Sequence, residues 1–386
     1  MGEAKRRLRI ALDGRVIAMA QSNLLARTGI FIVTVGFASA LSQRDDVELY
    51  VLGCEQLSDV FLSGIKGLPR QSIRPLPNLT APLLFFSTFH PIDPEISANP
   101  SIIPVQMVHD LAFHACPQLG DRGLHFERQL MASITPRTVV AAASQCTRND
   151  LRRFFKIPAE QIVVTYEGVR NEWIPGPNME AMPDFISRFK DEGAVYLLAL
   201  STIEPRKNLS TILRAFSSIY ERAALNTKAI PRIYLVVVGA KGWGDDINLG
   251  SDLHRGAKEN VLFTGFLPDE ELPATIAHAL CLIYPSWYEG FGLPVLEAMH
   301  LGTPVIVSNR GSLPEIVGPN AILVNPDDDE AISQAVVTLA ASEEARQSAR
   351  TAVKKQSAMF SWHNACDELL AHPWIKASTR TYATSA

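Results

Sequence analysis

Short apolar runs alternate with helical periodicity along most of the 386-residue chain. Parallel βαβ units produce this pattern, because their strands are buried on both faces while each connecting helix exposes one face. The runs that predict strands in the first half are LRIALDG, VELYVLG, IIPVQMVHD, TVVAAAS and QIVVTYEGV. In the second half they are VYLLALS, RIYLVVVGA, VLFTG, LCLIYPS, TPVIVSN and AILVNP. The pattern predicts an α/β protein of two doubly wound, Rossmann-like domains in tandem.

The two series of strands are separated by residues 172–183, where proline, glycine and asparagine accumulate as they do in linkers. We place an N-terminal domain at residues 1–176 and a C-terminal domain at residues 177–357. The chain length agrees with two domains of ordinary size. FSWHNACDEL, from Phe360, predicts a final helix.

Helix starts can be predicted at three places. Thr147 with Asp150 has the form of a capping box before LRRFF. Asn208 precedes the clearest amphipathic stripe in the chain and is expected to cap that helix. The acids at 327–329 could suggest a metal site, but they precede EAISQAVVTLAAS and are better explained as acids that open a helix.

The segment LPRQSIRPLPNLTAPLLFF, residues 68–86, allows two interpretations. Its arginines, leucines and phenylalanines could rest on an anionic membrane surface. They could equally form a loop that leads into a buried strand.

Composition limits the class of protein. Hydrophobic residues make up 47% of the chain and the formal net charge is -4, as in a globular protein without a nucleic-acid-binding surface. The five cysteines are far apart with no C-x-x-C pair, which argues against a zinc site or a disulfide framework and favours a reducing cytoplasm. Too few apolar residues precede Asp13 for a signal peptide, so we interpret this stretch as the first strand.

Two adjacent cations, Arg206 and Lys207, stand between a predicted strand and a predicted helix in STIEPRKNL. Backbone amides and the helix dipole favour anions at such a position, and the two side chains add charge-assisted donors for a diphosphate. A solvated turn is the alternative.

Two glutamates, Glu289 and Glu297, follow another predicted strand in WYEGFGLPVLEAMHLG. Glu289 should lie on a glycine-rich loop and Glu297 about one turn inside the next helix, which Pro294 opens and Gly302 ends. Carboxylates suit ligands rich in hydroxyl groups. A sugar at Glu289, a ribose at Glu297 and a diphosphate at the basic pair together describe a nucleotide sugar.

The second half resembles the retaining GT-B glycosyltransferases of glycosyltransferase family 4. The resemblance is carried by STIEPRKNLSTILRAF, VVVGAKGWGD, VLFTGFLPDEEL, YPSWYEGFGLPVLEAMHLGTPVIVSNRGSLPEIVG and AILVNPDD, in that order. IPVQMVHDLAF and ASQCTRNDL extend it more weakly into the first half. It implies two domains that face each other across a cleft, with residues 358–386 packing back on the N-terminal domain. It also implies sugar transfer from a nucleotide diphosphate donor to an acceptor hydroxyl with retention, without a metal or other cofactor. Within VVVGAKGWGD, the GAKGWG motif only approximates a dinucleotide fingerprint.

Roles for single residues follow from this resemblance. Arg206 and Lys207 match the pair that neutralises the donor diphosphate, Glu289 the glutamate that faces the donor sugar, and Glu297 the one that holds the ribose. His109 matches a histidine of the first domain that reaches the reacting sugar. Further donor contacts are implied for Gly29, Thr202, Phe291, Gly292 and Leu293. Gly29 resembles the glycine loop after the first strand, although Phe31 and Ile32 replace the usual second glycine and polar residue.

Likeness to bacterial mannosyltransferases of surface polysaccharides favours GDP-mannose as the donor, with a UDP-hexose as the second choice. The acceptor is expected to be a glycan or a polyprenyl-linked oligosaccharide, which would place a cytoplasmic enzyme at the inner face of the membrane. Two alternatives remain open, a sugar-nucleotide epimerase and a non-catalytic nucleotide-sugar sensor.

Overall fold

The computed structural model describes residues 7–22, 29–75, 83–170, 173, 181–225, 231–242, 253 and 256–377. The chain divides into two compact units, of which unit 1 comprises residues 1–172 with 360–386 and unit 2 comprises residues 173–359. The division therefore falls in the predicted linker, most of which lies outside the described residues, as do residues 378–386.

Unit 1 contains a six-stranded parallel sheet with the spatial order β2-β1-β3-β4-β5-β6. Its strands are β1 (Leu8–Asp13), β2 (Val47–Leu52), β3 (Leu83–Ser87), β4 (Ile102–Val108), β5 (Val139–Ala142) and β6 (Ile162–Val164). Its helices before the linker are α1 (Arg15–Ser22), α2 (Gly29–Ser42), α3 (Asp59–Ser63), α4 (Pro94–Ala98), α5 (Ala112–Ala115), α6 (Leu124–Ala132) and α7 (Gln145–Phe155).

Unit 2 repeats this architecture with the order β12-β11-β10-β7-β8-β9, again all parallel. Its strands are β7 (Val195–Leu200), β8 (Ile233–Val238), β9 (Val261–Gly265), β10 (Cys281–Tyr284), β11 (Val305–Ser308) and β12 (Ile322–Val324). Its helices are α8 (Asp184–Asp191), α9 (Leu209–Leu225), α10 (Leu272–Ala277), α11 (Leu293–Leu301), α12 (Leu313–Val317), α13 (Asp329–Ala341) and α14 (Glu343–Ser357). Each apolar run quoted as a strand contains one, so the predicted α/β class is confirmed.

Strand β3 decides between the two interpretations of residues 68–86. It lies between β1 and β4 in the sheet, and all five of its residues are buried, Phe86 completely. Arg74 makes an ion pair with Glu48, while residues 76–82 lie outside the described part of the chain. The phenylalanines therefore belong to the core, and the loop-to-strand interpretation is correct. None of the described helices is long and apolar enough to cross a membrane.

Helix α15 (Trp362–Ala371), predicted from FSWHNACDEL, belongs to unit 1. Trp362 is buried against Phe37 of α2, with 5.5 Å between ring centroids. A Cβ at Gly36 would lie 2.2 Å from the indole ring, so only glycine lets α2 and α15 approach this closely. Gly168 faces the same tryptophan from the segment after β6.

The capping box predicted at Thr147 is wrong. Helix α7 already begins at Gln145, and Ser144 caps it by accepting from the backbone amide of Thr147. Thr147 instead donates its hydroxyl to the carbonyl oxygen of His109 at 2.9 Å, which ties α7 to the end of β4. At α13 the prediction is confirmed, since Asp328 accepts from the amide of Ala331.

Candidate functional site

The order of strands in unit 2 singles out one edge of the sheet. Successive strands run from β7 outward to β8 and β9 on one side, and from β10 outward to β11 and β12 on the other. The chain thus reverses its winding between β7 and β10, and open α/β sheets bind ligands at the carboxyl ends of strands that flank such a point. The loops that follow these two strands carry Arg206, Lys207 and Glu289.

These three side chains form one buried ionic group. Lys207 Nζ lies 2.7 Å from Oε1 of Glu289, and Arg206 Nη1 lies 3.3 Å from Oε2 of the same carboxylate. The side chain of Glu289 is only 6% exposed. The backbone amide of Trp287 donates to the carbonyl oxygen of Arg206 at 2.9 Å, which joins the two loops. Glu289 was expected to project toward a ligand, but here it is the counter-ion of both cations.

The pKa directions describe the balance of charge in this group. Burial works to raise the pKa of Glu289, but the charges of Lys207 and Arg206 outweigh it and lower the pKa. For Lys207, burial and then the charge of Arg206 lower the pKa more than the attraction of Glu289 raises it. A further anion bound beside the ammonium would therefore stabilise its charged form.

Two more side chains complete the group, and sequence reasoning missed both. Glu204 Oε1 accepts from Nε of Arg206 at 3.0 Å and lies 2.9 Å from its Nη2, which sets the plane of the guanidinium. The hydroxyl of Tyr284, the last residue of β10, accepts from Lys207 Nζ at 2.8 Å. A signal for Glu204 was its position two residues before Arg206, whereas the sequence alone could not place Tyr284 beside Lys207.

The loop after β11 holds the Glu289 loop in place. Ser312 donates its hydroxyl to the carbonyl oxygens of Glu289 and Phe291, each at 3.0 Å. Gly311 has a φ of 58°, and a Cβ there would lie 2.7 Å from the Glu289 carbonyl oxygen. Glycine is thus required where the backbones of these two loops meet.

The start of α11 has the geometry expected of a helix N-terminus that receives a ligand. Gly292 is the N-cap with a φ of 99°, and Pro294 follows in the first turn. The side chains of Phe291 and Leu293 are buried, so these residues can offer a ligand only their backbone. Glu297 is the fifth of the nine residues of α11 and is 4% exposed. The predictions for Pro294 at the start and Gly302 at the end of this helix are confirmed.

The loop after β7 packs against the loop after β8. A Cβ at Gly239 would lie 1.9 Å from the carbonyl oxygen of Ser201, and one at Gly242 would lie 2.6 Å from Cγ2 of Thr202. The described glycines of GAKGWG thus allow two loops to touch, and residues 243 and 244 lie outside the described part. Thr202 is exposed beside this contact.

Asn208 occupies the position predicted for the cap of α9. Its amide nitrogen donates to the carbonyl oxygens of Pro285 and Pro326, at 3.1 and 2.7 Å. Its side-chain oxygen accepts from the hydroxyl of Thr211. Asn208 therefore connects the loops that follow β7, β10 and β12.

In unit 1, His109 directly follows β4. Its Nε2 lies 2.7 Å from the carbonyl oxygen of Thr88 and its Nδ1 lies 3.2 Å from Oε1 of Glu167. Asp110 accepts from the amide of Ala112 at the start of α5. Gly29 is helical, as the first residue of α2, so the prediction that it lies in a loop after β1 is wrong.

The chemistry available in unit 2 suits a ligand with both phosphate and hydroxyl groups. Buried cations and the amides of a helix start bind anions, and carboxylates accept from hydroxyl groups. Within the described part of the chain, no group of three or more His, Cys, Asp or Glu side chains is placed to hold a metal ion.

Comparison with known proteins agrees with this arrangement. The family model "Glycosyl transferases group 1" matches residues 183–356, nearly all of unit 2. O-antigen chain mannosyltransferase B of Escherichia coli is 35% identical over 263 residues, which cover 67% of each chain.

The chain belongs to the group 1 glycosyl transferases.

A second relative of this glycosyltransferase is the serotype-specific mannosyltransferase WbdA of Escherichia coli, which is 28% identical over 271 residues. That match covers 69% of this chain but 32% of WbdA, so the chain spans about a third of that relative.

Solved structures share the fold over 98% of the glycosyltransferase chain. Anabaena Alr3699/HepE in complex with UDP-glucose has a TM-score of 0.64 at 17% identity, over 100% of its own chain. WaaG, a glycosyltransferase involved in lipopolysaccharide biosynthesis, has a TM-score of 0.61 at 14% identity, also over 100% of its chain. The predicted GT-B fold is therefore confirmed.

Proposed function

We propose that this glycosyltransferase transfers a hexose, with retention at the anomeric carbon and without a metal, from a nucleotide sugar to a hydroxyl group of a glycan. The observation that carries the proposal is the convergence of Arg206 Nη1 and Lys207 Nζ on one carboxylate at the point where the sheet of unit 2 reverses its winding. Two cations directed at two oxygens of one anion are arranged as a diphosphate requires.

The proposed reaction breaks the bond between the anomeric carbon and a phosphate oxygen and forms a bond from that carbon to the acceptor oxygen. The departing phosphate oxygen takes the electron pair of the broken bond and so gains negative charge, and the acceptor hydroxyl passes its proton to that oxygen. Arg206 and Lys207 are held in place by Glu204 and Tyr284 before the ligand arrives. Such preorganised charge stabilises a transition state without reorganisation during the reaction.

Glu289 has two roles in this proposal. Its contacts at 2.7 and 3.3 Å compensate the two cations. When the donor diphosphate takes over part of that compensation, the carboxylate becomes available to hydroxyl groups of the donor sugar. Glu297 holds the ribose, and the amides near Phe291, Gly292 and Leu293 contact sugar and phosphate. For Thr202 and His109 the proposal keeps the donor contacts that the family resemblance implies.

For the donor we propose mannose from GDP-mannose, supported by the mannosyltransferase names of the E. coli relatives. A UDP-hexose is the second candidate, because HepE was solved with UDP-glucose. The acceptor is proposed to be a growing polysaccharide or a polyprenyl-linked oligosaccharide. A cytoplasmic position at the inner membrane face follows from such an acceptor alone, since Leu83–Phe86 of residues 68–86 are buried in β3.

The test is transfer from GDP-mannose, UDP-glucose and other nucleotide sugars to polyprenyl-linked oligosaccharides, with EDTA present and the product linkage assigned by NMR. We expect a mannosylated product with the anomeric configuration of the donor, and no transfer by the R206A/K207A double variant. An inverted product, or activity that EDTA abolishes, contradicts the mechanism. Free epimer without transfer identifies the epimerase, and donor binding without turnover identifies the sensor.

Donor choice can be measured separately by thermal denaturation with each nucleotide sugar. A ligand at one hundred times its dissociation constant adds about 2.7 kcal/mol to the stability of the folded protein. We expect GDP-mannose to stabilise more than UDP-hexoses. An equal or larger shift with UDP-glucose would move the donor assignment to a UDP-hexose.

A further inference from the structure

The imidazole of His109 lies between two hydrogen-bond acceptors. Nε2 is 2.7 Å from the carbonyl oxygen of Thr88, and Nδ1 is 3.2 Å from the carboxylate of Glu167. A neutral imidazole has one donor nitrogen, and the carbonyl oxygen can only accept. If Nε2 donates to Thr88, then a proton is also needed between Nδ1 and the carboxylate. This geometry favours the imidazolium form, which donates at both nitrogens.

Burial makes this contact important for Glu167. Its side chain is 3% exposed, so water cannot solvate the carboxylate well, while the ring of His109 is 21% exposed. A buried carboxylate without a partner is costly, and a cation in contact with it removes most of that cost. His109 and Glu167 therefore stabilise each other's charged form.

The backbone around this pair is held on several sides. The hydroxyl of Thr147 donates to the carbonyl oxygen of His109, and the hydroxyl of Thr34 lies 2.7 Å from that of Thr88. Next to Glu167, a Cβ at Gly168 would lie 2.4 Å from the backbone nitrogen of Trp362, so the start of α15 packs closely against the backbone beside Glu167. The ring is thus fixed in orientation and does not depend on a ligand for it.

We propose that Glu167 is a positioning residue of the glycosyltransferase, one that keeps His109 protonated and oriented for its contact with the transferred sugar. This inference rests on the proposed function, in which His109 takes part. Because both N–H groups are engaged, His109 acts as a fixed positive charge and does not exchange a proton during the reaction. Nothing in the sequence marked Glu167, since it follows a strand in the unremarked motif TYEGV.

The pKa direction agrees with the geometry. Burial works to lower the pKa of His109, but the hydrogen bond and charge of Glu167, with the Thr88 carbonyl and the charge of Asp110, outweigh it and raise the pKa above 6.5. Thr147, which faces His109 from α7, carries no charge. A raised folded-state pKa makes the stability of the protein depend on pH. Stability from this pair is complete below the unfolded-state pKa of histidine, and is lost as pH rises through the higher folded-state pKa.

Three variants of the full chain test the proposal. Glu167→Gln keeps size and removes the charge, and His109→Gln identifies the histidine signals. Glu127→Gln is the matched control, because Glu127 is also buried in unit 1 and is bonded to a histidine, His114. NMR of the imidazole nitrogens then gives the pKa of His109, and kcat and KM are measured from pH 5 to 9.

We expect His109 of the native protein to titrate above 6.5, and Glu167→Gln to lower that pKa by about 1 to 3 units. The alkaline limb of kcat should move to lower pH by the same amount, with donor KM within about threefold of native. Once the pH falls below the His109 pKa that NMR gives for the variant, Glu167→Gln should regain most of the native kcat. Glu127→Gln should not shift the alkaline limb of the kcat–pH profile.

A merely structural Glu167 would lower kcat at every pH without recovery in acid, and that result overturns the proposal. So does an unchanged alkaline limb in Glu167→Gln or in His109→Gln. If Glu167→Gln does not fold, the native titration still decides, because a His109 pKa below 6.5 contradicts the pair. Absence of transfer from every donor would refute the proposed function, while the NMR titration would still report on the pair.

Discussion

Replacement of Lys207 by alanine should lower turnover far more than it weakens donor binding. Lys207 Nζ is one of the two cationic groups that converge on Glu289, and its side chain is only 12% exposed. The donor diphosphate becomes more negative as the bond to the sugar breaks. An interaction that strengthens along the reaction contributes to kcat, whereas one equally strong in the bound donor contributes to KM.

The size of the effect follows from the burial of the site. Two unit charges about 4 Å apart attract by about 4 kcal/mol at the effective dielectric of about 20 that describes partly buried protein sites. Measured losses for one preorganised donor are on the order of 2 to 4 kcal/mol. We therefore expect kcat to fall roughly 30- to 900-fold. Removal of the Tyr284 hydroxyl, which only supports Nζ at 2.8 Å, should cost about 0.5 to 1.5 kcal/mol.

Steady-state kinetics at saturating acceptor, together with calorimetric binding of the intact donor, separates these effects. Lys190→Ala is the matched control, since Lys190 is an exposed lysine of the same unit. Loss of Lys207 leaves Glu289 with Arg206 as its cation, so circular dichroism must first establish that the variant is folded. Near-native kcat in a folded Lys207→Ala, or a loss confined to donor KM, would refute the assignment.

Three further predictions concern neighbouring residues. Glu289→Gln should lower kcat and bind the nucleoside diphosphate product about tenfold more tightly, because both cations lose the carboxylate that they share, while Arg206 keeps Glu204; calorimetry showing weaker binding would contradict this. Glu297→Ala should raise donor KM by about ten- to hundredfold with little change in kcat. This is the effect expected when a charged hydrogen bond to the ribose, of about 1.5 to 3 kcal/mol, is lost. A fall in kcat at unchanged KM would exclude that role for Glu297. Gly239→Ala should destabilise unit 2 by about 1 to 3 kcal/mol more than the control Gly193→Ala, as measured by urea denaturation. Both glycines have a positive φ, but only at Gly239 would the Cβ meet a carbonyl oxygen, that of Ser201 at 1.9 Å. Equal losses for the two alanine variants would show that the loops move apart easily.

Most of the fold was predictable because buried parallel strands leave a strong local signal. Runs such as VYLLALS and RIYLVVVGA are continuous apolar segments bounded by turn residues, and each became a central strand. Strand β3 was harder to recognise, since LLFF follows a proline-rich segment whose arginines also suited a membrane surface. The start of α7 was misplaced because Ser144 and Thr147 both have hydroxyl groups suited to a cap. The choice between them depended on the contact of Thr147 with His109, which is distant in sequence.

The chemistry of the basic pair was also visible in the sequence, because the residue types and their position after a strand are local facts. Arg206, Lys207 and Glu289 were expected at strand ends, and the structure brings all three together. Their mutual pairing could not be read from the chain. It requires β7 and β10 to be neighbours, although α9, β8, β9 and α10 separate them in sequence.

The sequence by itself thus determined the class of fold, the order of the elements and the types of residue at the strand ends, since each depends on patterns within a few residues. Tertiary structure alone decided which strand ends meet, and therefore that Glu204 and Tyr284 support the cations and that Glu167 faces His109. The physical reason is that hydrogen bonds and ion pairs act over about 3 to 4 Å, so they depend on strand order and on the packing of loops. Neither leaves a periodic signal in the chain.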